Sequence, residues 1–154
     1  MKRLTPFLYI ALAGFAAVAP FFADAPQAFA QQQQKSLYQR LGGYDALAAV
    51  TDDFIGRLAT DPQLSHFFMG HNKEGLTRIR QHVVDFLCVA TGGPCAYTGQ
   101  DMKTAHTGLH ITDDDWDASV KHLTATLDKF KVPDKEKGEV LAAISGLKGD
   151  IVGR

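Results

Sequence analysis

The sequence predicts an all-α protein, and three observations carry that prediction. Apolar residues recur at helical spacing in several separate stretches. Glycine and proline clusters such as Gly42-Gly43, Asp61-Pro62 and Gly92-Gly93-Pro94 punctuate them. No stretch shows the strict polar/apolar alternation of a half-buried strand, and no internal repeat or second domain is visible.

The 154 residues suit one domain, and the first thirty are set apart from it. Lys2 and Arg3 form a charged start, and Phe7 to Ala23 is apolar apart from Gly14 and Pro20. Ala28-Phe29-Ala30 then supplies the small-x-small pattern of a signal-peptidase site, which predicts cleavage after Ala30 and a periplasmic or secreted product. The alternative is an uncleaved membrane anchor, but 17 apolar residues with an internal proline are short for a span. The mature chain is therefore expected to have no stable membrane insertion. Residues 31–35 are expected to be a flexible polar leader, and 36–154 the folded domain.

Of 16 basic and 17 acidic residues, loss of Lys2, Arg3 and Asp24 leaves 14 and 16, a net charge of −2. That balance offers no electrostatic footprint for nucleic acid. Cys88 and Cys95 are the only cysteines. In an exported protein an even count suggests a disulfide, and two separate buried thiols are the alternative. No Cys-x-x-Cys-His motif is present for thioether attachment of a haem.

Within the domain, Ser36 is placed to cap a short helix from Leu37 to Leu41, stopped by Gly42-Gly43. A second helix is expected from about Tyr44 to Ala59, with Leu47, Val50, Phe54 and Leu58 as its apolar stripe and Ile55 beside it. Leu64 to Phe68 is a short apolar segment ending at Gly70. A third helix runs from about Lys73 to Thr91. Its apolar residues Leu76, Ile79, Val83, Phe86, Leu87 and Ala90 fill a sector of about 100° at 100° per residue. His82 lies about 40° outside Phe86 on one edge of that sector, free to turn inward or out to water.

After a loop from Cys95 to Gln100 comes the stretch Met102 to Leu109. Met102, His106 and Leu109 are spaced i, i+4, i+7, so on a short helix they share one face. An imidazole in such an apolar wall is either a packed histidine with one satisfied nitrogen or an axial ligand to a haem iron. Thr112-Asp113-Asp114-Asp115 reads as a capped helix start with acids in the first turn. Trp116, Val120, Leu123, Leu127 and Phe130 mark the long helix that follows. Val132-Pro133 begins a last helix carrying Val140, Leu141, Ile144, Leu147 and Ile151, mildly interrupted by Gly146. His66, His71, His110 and His122 show no metal-ligand spacing and read as surface or packing residues.

The order of these pieces resembles the truncated haemoglobins of group I. The carriers are Leu37-Tyr38-x-x-Leu41-Gly42-Gly43, Asp53-Phe54, Phe67-Phe68-x-Gly70, and Phe86-Leu87 before Gly92-Gly93-Pro94. Tyr97-x-Gly99 and Met102-Lys103-x-x-His106-x-Gly108-Leu109-x-Ile111-Thr112 complete them, so the resemblance spans Ser36 to Val152. It implies a two-over-two helical sandwich around one haem b, with iron as the metal and O2, NO or CO as ligand. His106 matches the proximal iron ligand, and Phe68 the phenylalanine packed on the haem face. Met102, Leu109, Ile111, Trp116 and Leu123 match haem-pocket positions, and Tyr97 and Lys103 lie where a propionate is met.

The distal side departs from the family's best-known pattern. Ile55 stands where a tyrosine is common, Val83 where a glutamine is common, and Ile79 takes the remaining distal position. The usual hydrogen-bond donors to dioxygen are thus missing. His82 aligns with the histidine that is the second axial ligand in some cyanobacterial members, which makes it the possible distal ligand. The expectation is an exported haem protein binding small diatomics. NO dioxygenation or peroxide reduction, bis-histidine electron transfer with an unidentified reductase, and a haem-free helical module are the competing readings.

Overall fold

The computed structural model describes residues 35–154, and the expected cleavage site and residues 31–34 of the leader lie outside them. Among the described residues every regular element is helical. In order they are α1 (Leu37–Arg40), α2 (Gly43–Thr60), a 3-10 turn (Ser65–Phe68) and α3 (Lys73–Ala90). α4 (Met102–His106), α5 (Asp113–Lys129), α6 (Asp134–Ser145) and α7 (Lys148–Ile151) follow. None of these helices is long and apolar enough to cross a membrane.

Local chemistry sets the helix starts. Ser36 and Gln39 form a reciprocal capping box on α1, and Thr112 and Asp115 form one on α5. The Asn72 side chain accepts from the Gly75 N–H at 2.8 Å at the start of α3. Asp113, Asp114 and Asp115 then lie against the positive end of α5.

α2 packs on α3 and on α5, and α5 packs on α6. The pairs α2/α3 and α5/α6 are the two layers of a two-over-two sandwich. Val50, Leu123, Leu127 and Val140 form one buried cluster between α2, α5 and α6. Leu47, Leu87 and Cys88 form another between α2 and α3, and Leu41 and Ile144 touch both. Burial of each such leucine contributes roughly 1.5–3 kcal/mol. Arg40 ties α1 to α6 through Glu136, at 3.0 Å, and Glu139.

Three elements depart from the sequence expectation. Gly146 ends α6 rather than merely softening it, and the chain restarts as the separate turn α7. Phe130 lies beyond α5, is 39% exposed and has the Lys129 ammonium 5.7 Å from its ring centroid, so it is no part of the buried stripe. The side chains of α3 that are most buried are Val84, Leu87 and Cys88. Val84 and Cys88 carry the apolar arc about 100° beyond Leu87 at 100° per residue. The sector built on Ile79, Val83 and Phe86 is only half-buried. α3 thus has two apolar faces, one fully buried and one half-buried, with Val83 of the latter also packed against the Leu47, Leu87 and Cys88 cluster.

Candidate haem site

His106 is the last residue of α4, a helix of five residues held at its start by Asp101. The Asp101 carboxylate accepts from the Thr104 N–H at 2.9 Å and from its hydroxyl at 2.7 Å. His106 Nδ1 lies 2.7 Å from the Met102 carbonyl oxygen. A carbonyl only accepts, so Nδ1 carries the proton and Nε2 carries the lone pair. A ligating histidine has the same arrangement, its second nitrogen donating to a carbonyl or carboxylate that fixes the ring. Among the described residues no group bonds Nε2.

Leu109 does not share a helical face with Met102 and His106. Thr107 is extended and Gly108 has φ +87°, so the helix has ended and Leu109 is 40% exposed. The i, i+4, i+7 pattern fails at its last member because the backbone turns before reaching it. The segment beyond is pinned instead by the chain's last residues. His110 N–H donates to the Arg154 carbonyl at 2.7 Å, and Gly153 N–H donates to the Ile111 carbonyl at 2.8 Å. α7 packs on α4, so the His106 helix is supported from the side that the sequence pattern does not reveal.

Ile79, Val83 and Phe86 of α3 and Ile55 of α2 are all half-buried. His82 is half-buried too, and its Nδ1 is shielded from solvent with no hydrogen-bond partner among the described groups. Such an atom is costly unless something outside the polypeptide engages the imidazole. The ring stands edge-on to Tyr97, with centroids 6.1 Å apart, and Phe86 stands edge-on to Tyr97 at 5.5 Å.

The Tyr97 hydroxyl donates to the Gln100 carbonyl at 2.6 Å, and burial, with the Asp101 charge adding, pushes the phenol pKa up. Lys103 is exposed; Phe68, Met102 and Ile111 are half-buried; Trp116 is 7% exposed. Leu123, at 3% exposed, sits within the helix core beside Val50, Leu127 and Val140. Two apolar cavities of about 30 and 120 Å³ lie between helices, the larger between α3 and α6 against Phe86 and Ile144, and neither is lined by His106. The donor set therefore fits a flat apolar group carrying an iron. One imidazole has a fixed tautomer and a free Nε2, a second has an orphaned nitrogen, and Phe68, Ile79, Val83, Phe86, Met102 and Ile111 are half-buried. Of the other histidines, His66 Nδ1 lies 2.8 Å from the Gln63 carbonyl and His122 Nε2 lies 2.8 Å from the Asp61 carboxylate.

Comparison with known proteins identifies the family. Residues 36–152 match the bacterial-like globin family. The group 1 truncated hemoglobin GlbN of Mycolicibacterium paratuberculosis is 37% identical over 123 residues, covering 80% of this chain and 88% of that protein. The group 1 truncated hemoglobin of Tetrahymena thermophila is 30% identical, covering 80% and 99%. The Fe(III) truncated hemoglobin of Tetrahymena pyriformis superposes with a TM-score of 0.72 at 29% identity, covering 78% of this chain and 100% of that one. The 2/2 hemoglobin of Synechococcus, in its cyanomet state with covalently attached heme, superposes at 0.71 with 28% identity and the same coverages. The chain belongs to the bacterial-like globins as a group I truncated haemoglobin, a family whose cofactor is haem with its iron.

Proposed function

We propose that the protein is an exported haem protein that binds O2, NO or CO at an iron held by His106 Nε2. The observation that carries this reading is the 2.7 Å contact from His106 Nδ1 to the Met102 carbonyl, which leaves the second nitrogen as a lone-pair donor. Bound haem supplies the iron on which a diatomic ligand is taken up; the chain supplies the ligand, the apolar walls and the exclusion of water. Met102, Ile111 and Trp116 wall the side of His106, with Phe68, Ile79 and Val83 against the opposite face.

Ile55, Ile79 and Val83 offer no hydrogen-bond donor on that opposite face. This favours ligand binding or redox shuttling over NO dioxygenation and peroxide reduction, which rely on a polar distal side. One observation favours a second reading, bis-histidine electron transfer with a separate reductase. It is the shielded, unpartnered Nδ1 of His82, an imidazole with little polar competition for the iron. Export is supported by the Lys2-Arg3 start, the Phe7–Ala23 run and Ala28-Phe29-Ala30, and by a disulfide suited to an oxidising compartment.

The test is haem titration of the purified mature chain, followed by ferric and ferrous absorption spectra of wild type and His82→Leu. The expected result is one haem per chain, a low-spin six-coordinate wild type, and a high-spin His82→Leu that binds CO faster. Failure to take up haem would remove the whole reading. Identical high-spin spectra would leave a five-coordinate gas-binding site and take His82 off the iron.

A further inference from the structure

The loop between α3 and α4 is built to hold one aromatic ring. Cys88, fully buried near the end of α3, is bridged to Cys95 with Cα atoms 5.9 Å apart. The bridge folds over a turn in which Gly93 N–H donates to the Cys88 carbonyl at 2.7 Å. A Cβ on Gly93 would lie 2.6 Å from the Cys88 sulfur and 2.6 Å from the Tyr38 ring, so the turn has no slack. Tyr97 follows Cys95 by two residues. Its hydroxyl is tied to the Gln100 carbonyl, and a Cβ on Gly99 would lie 2.7 Å from its ring carbon Cε2. The phenol is therefore tied at its tip by a hydrogen bond and hemmed in by Gly99, in a loop anchored two residues earlier by the disulfide.

This ring stands edge-on to His82 of α3, with centroids 6.1 Å apart. His82 sits at the edge of the half-buried face, with a χ1 rotation separating an inward from an outward imidazole. Tyr97 stands edge-on to it and to Phe86, and its Nδ1 is shielded. The phenol ring thus flanks both the imidazole and the Phe86 ring of α3.

We propose that Tyr97, held by the Cys88–Cys95 bridge, is a positioning residue that restricts the rotamers of His82 and so sets the fraction of protein carrying His82 on the iron. This inference rests on the reading of His82 as the sixth ligand. Tyr97 touches neither iron nor diatomic ligand in this role; it acts through the imidazole it confines. The wall is the ring, not the hydroxyl, so phenylalanine at position 97 preserves it.

The experiment uses haem-loaded, disulfide-bonded protein and reads the ratio of low-spin to high-spin ferric haem. Wild type, Tyr97→Phe, Tyr97→Ala, Cys88→Ala/Cys95→Ala and His82→Leu are compared at equal haem loading. Tyr97→Ala is expected to lower the ratio about tenfold, and Tyr97→Phe to stay within about twofold of wild type, as a shift between two states of His82. The double cysteine variant is expected to shift in the same direction as Tyr97→Ala. If Tyr97→Ala retains too little haem to read, Tyr97→Leu, which keeps apolar volume without the ring, supplies the comparison with the same expected fall. A His82→Leu that turns high-spin beside a Tyr97→Ala that matches wild type overturns the positioning role and leaves the ligand reading intact. One spectrum shared by wild type and His82→Leu overturns both.

Discussion

Asp53 shows how single residues hold the frame around the site. From α2 its carboxylate accepts from Arg57 Nε at 2.6 Å, from Thr126 Oγ1 of α5 at 2.9 Å, and from Lys129. These partners, Arg57 first, then Lys129 and Thr126, hold its pKa well below the usual carboxylate range. The folded state thus favours the charged form. Its contribution to stability is complete above the unfolded pKa of about 3.9 and is lost as pH falls through the lower folded value. Asp53→Asn is expected to destabilise by about 1–2 kcal/mol near neutral pH, since two of the three partners are partly exposed and screened. Denaturant melts of wild type and variant should differ by a constant amount above about pH 5 and converge as pH falls towards about 2. A gap that widens in acid would show that the Asp53 network is not what the substitution removes.

At the scale of elements, the Cys88–Cys95 bridge links the end of α3 to the loop that precedes α4. It closes a loop too short to contribute the roughly 3 kcal/mol that chain entropy gives a fifteen-residue one. It also anchors to α3 the loop that carries Tyr97 two residues later. Intact-mass analysis of protein from the exported fraction, alkylated under denaturing and non-reducing conditions, is expected to show a chain beginning at Gln31 with no alkylated cysteine. Two alkylated thiols would exclude the bridge in that compartment. A mass that includes residues 1–30 would exclude cleavage. Helix starts such as Ser36 and Thr112 were legible in the sequence because capping is a local matter of a side chain and the three residues after it. The second buried face of α3 was harder to read. Val84 and Cys88 lie on an arc too wide for a helix with one neighbour, and reading one stripe per helix discards them. Leu109 was misplaced because periodicity has no means of sensing that Thr107 and Gly108 have already turned the chain.

For the whole molecule, the sandwich was legible because its two layers are made of long helices with strong stripes, Leu47 and Val50 on α2 and Leu123 and Leu127 on α5. In the candidate site, His106 stood out by the i, i+4 spacing from Met102 and by its match to the family pattern. Its support was not legible. The pinning of His110 and Ile111 by Arg154 and Gly153 is a contact across more than forty residues of chain, carried by backbone groups that have no sequence signature. The same holds for the 2.7 Å bond that sets the His106 tautomer, which depends on a ring orientation within a five-residue helix. The central claim is that His106 acts through Nε2 on the iron and not as a core residue. It is tested most directly by His106→Gly, with and without added imidazole, followed by the ferrous absorption spectrum of the haem-loaded protein. The account predicts that His106→Gly loses haem or shows an altered ferrous spectrum, and that free imidazole restores the wild-type spectrum by filling the ligand position. A His106→Gly protein that keeps haem with an unchanged ferrous spectrum in the absence of imidazole would contradict it.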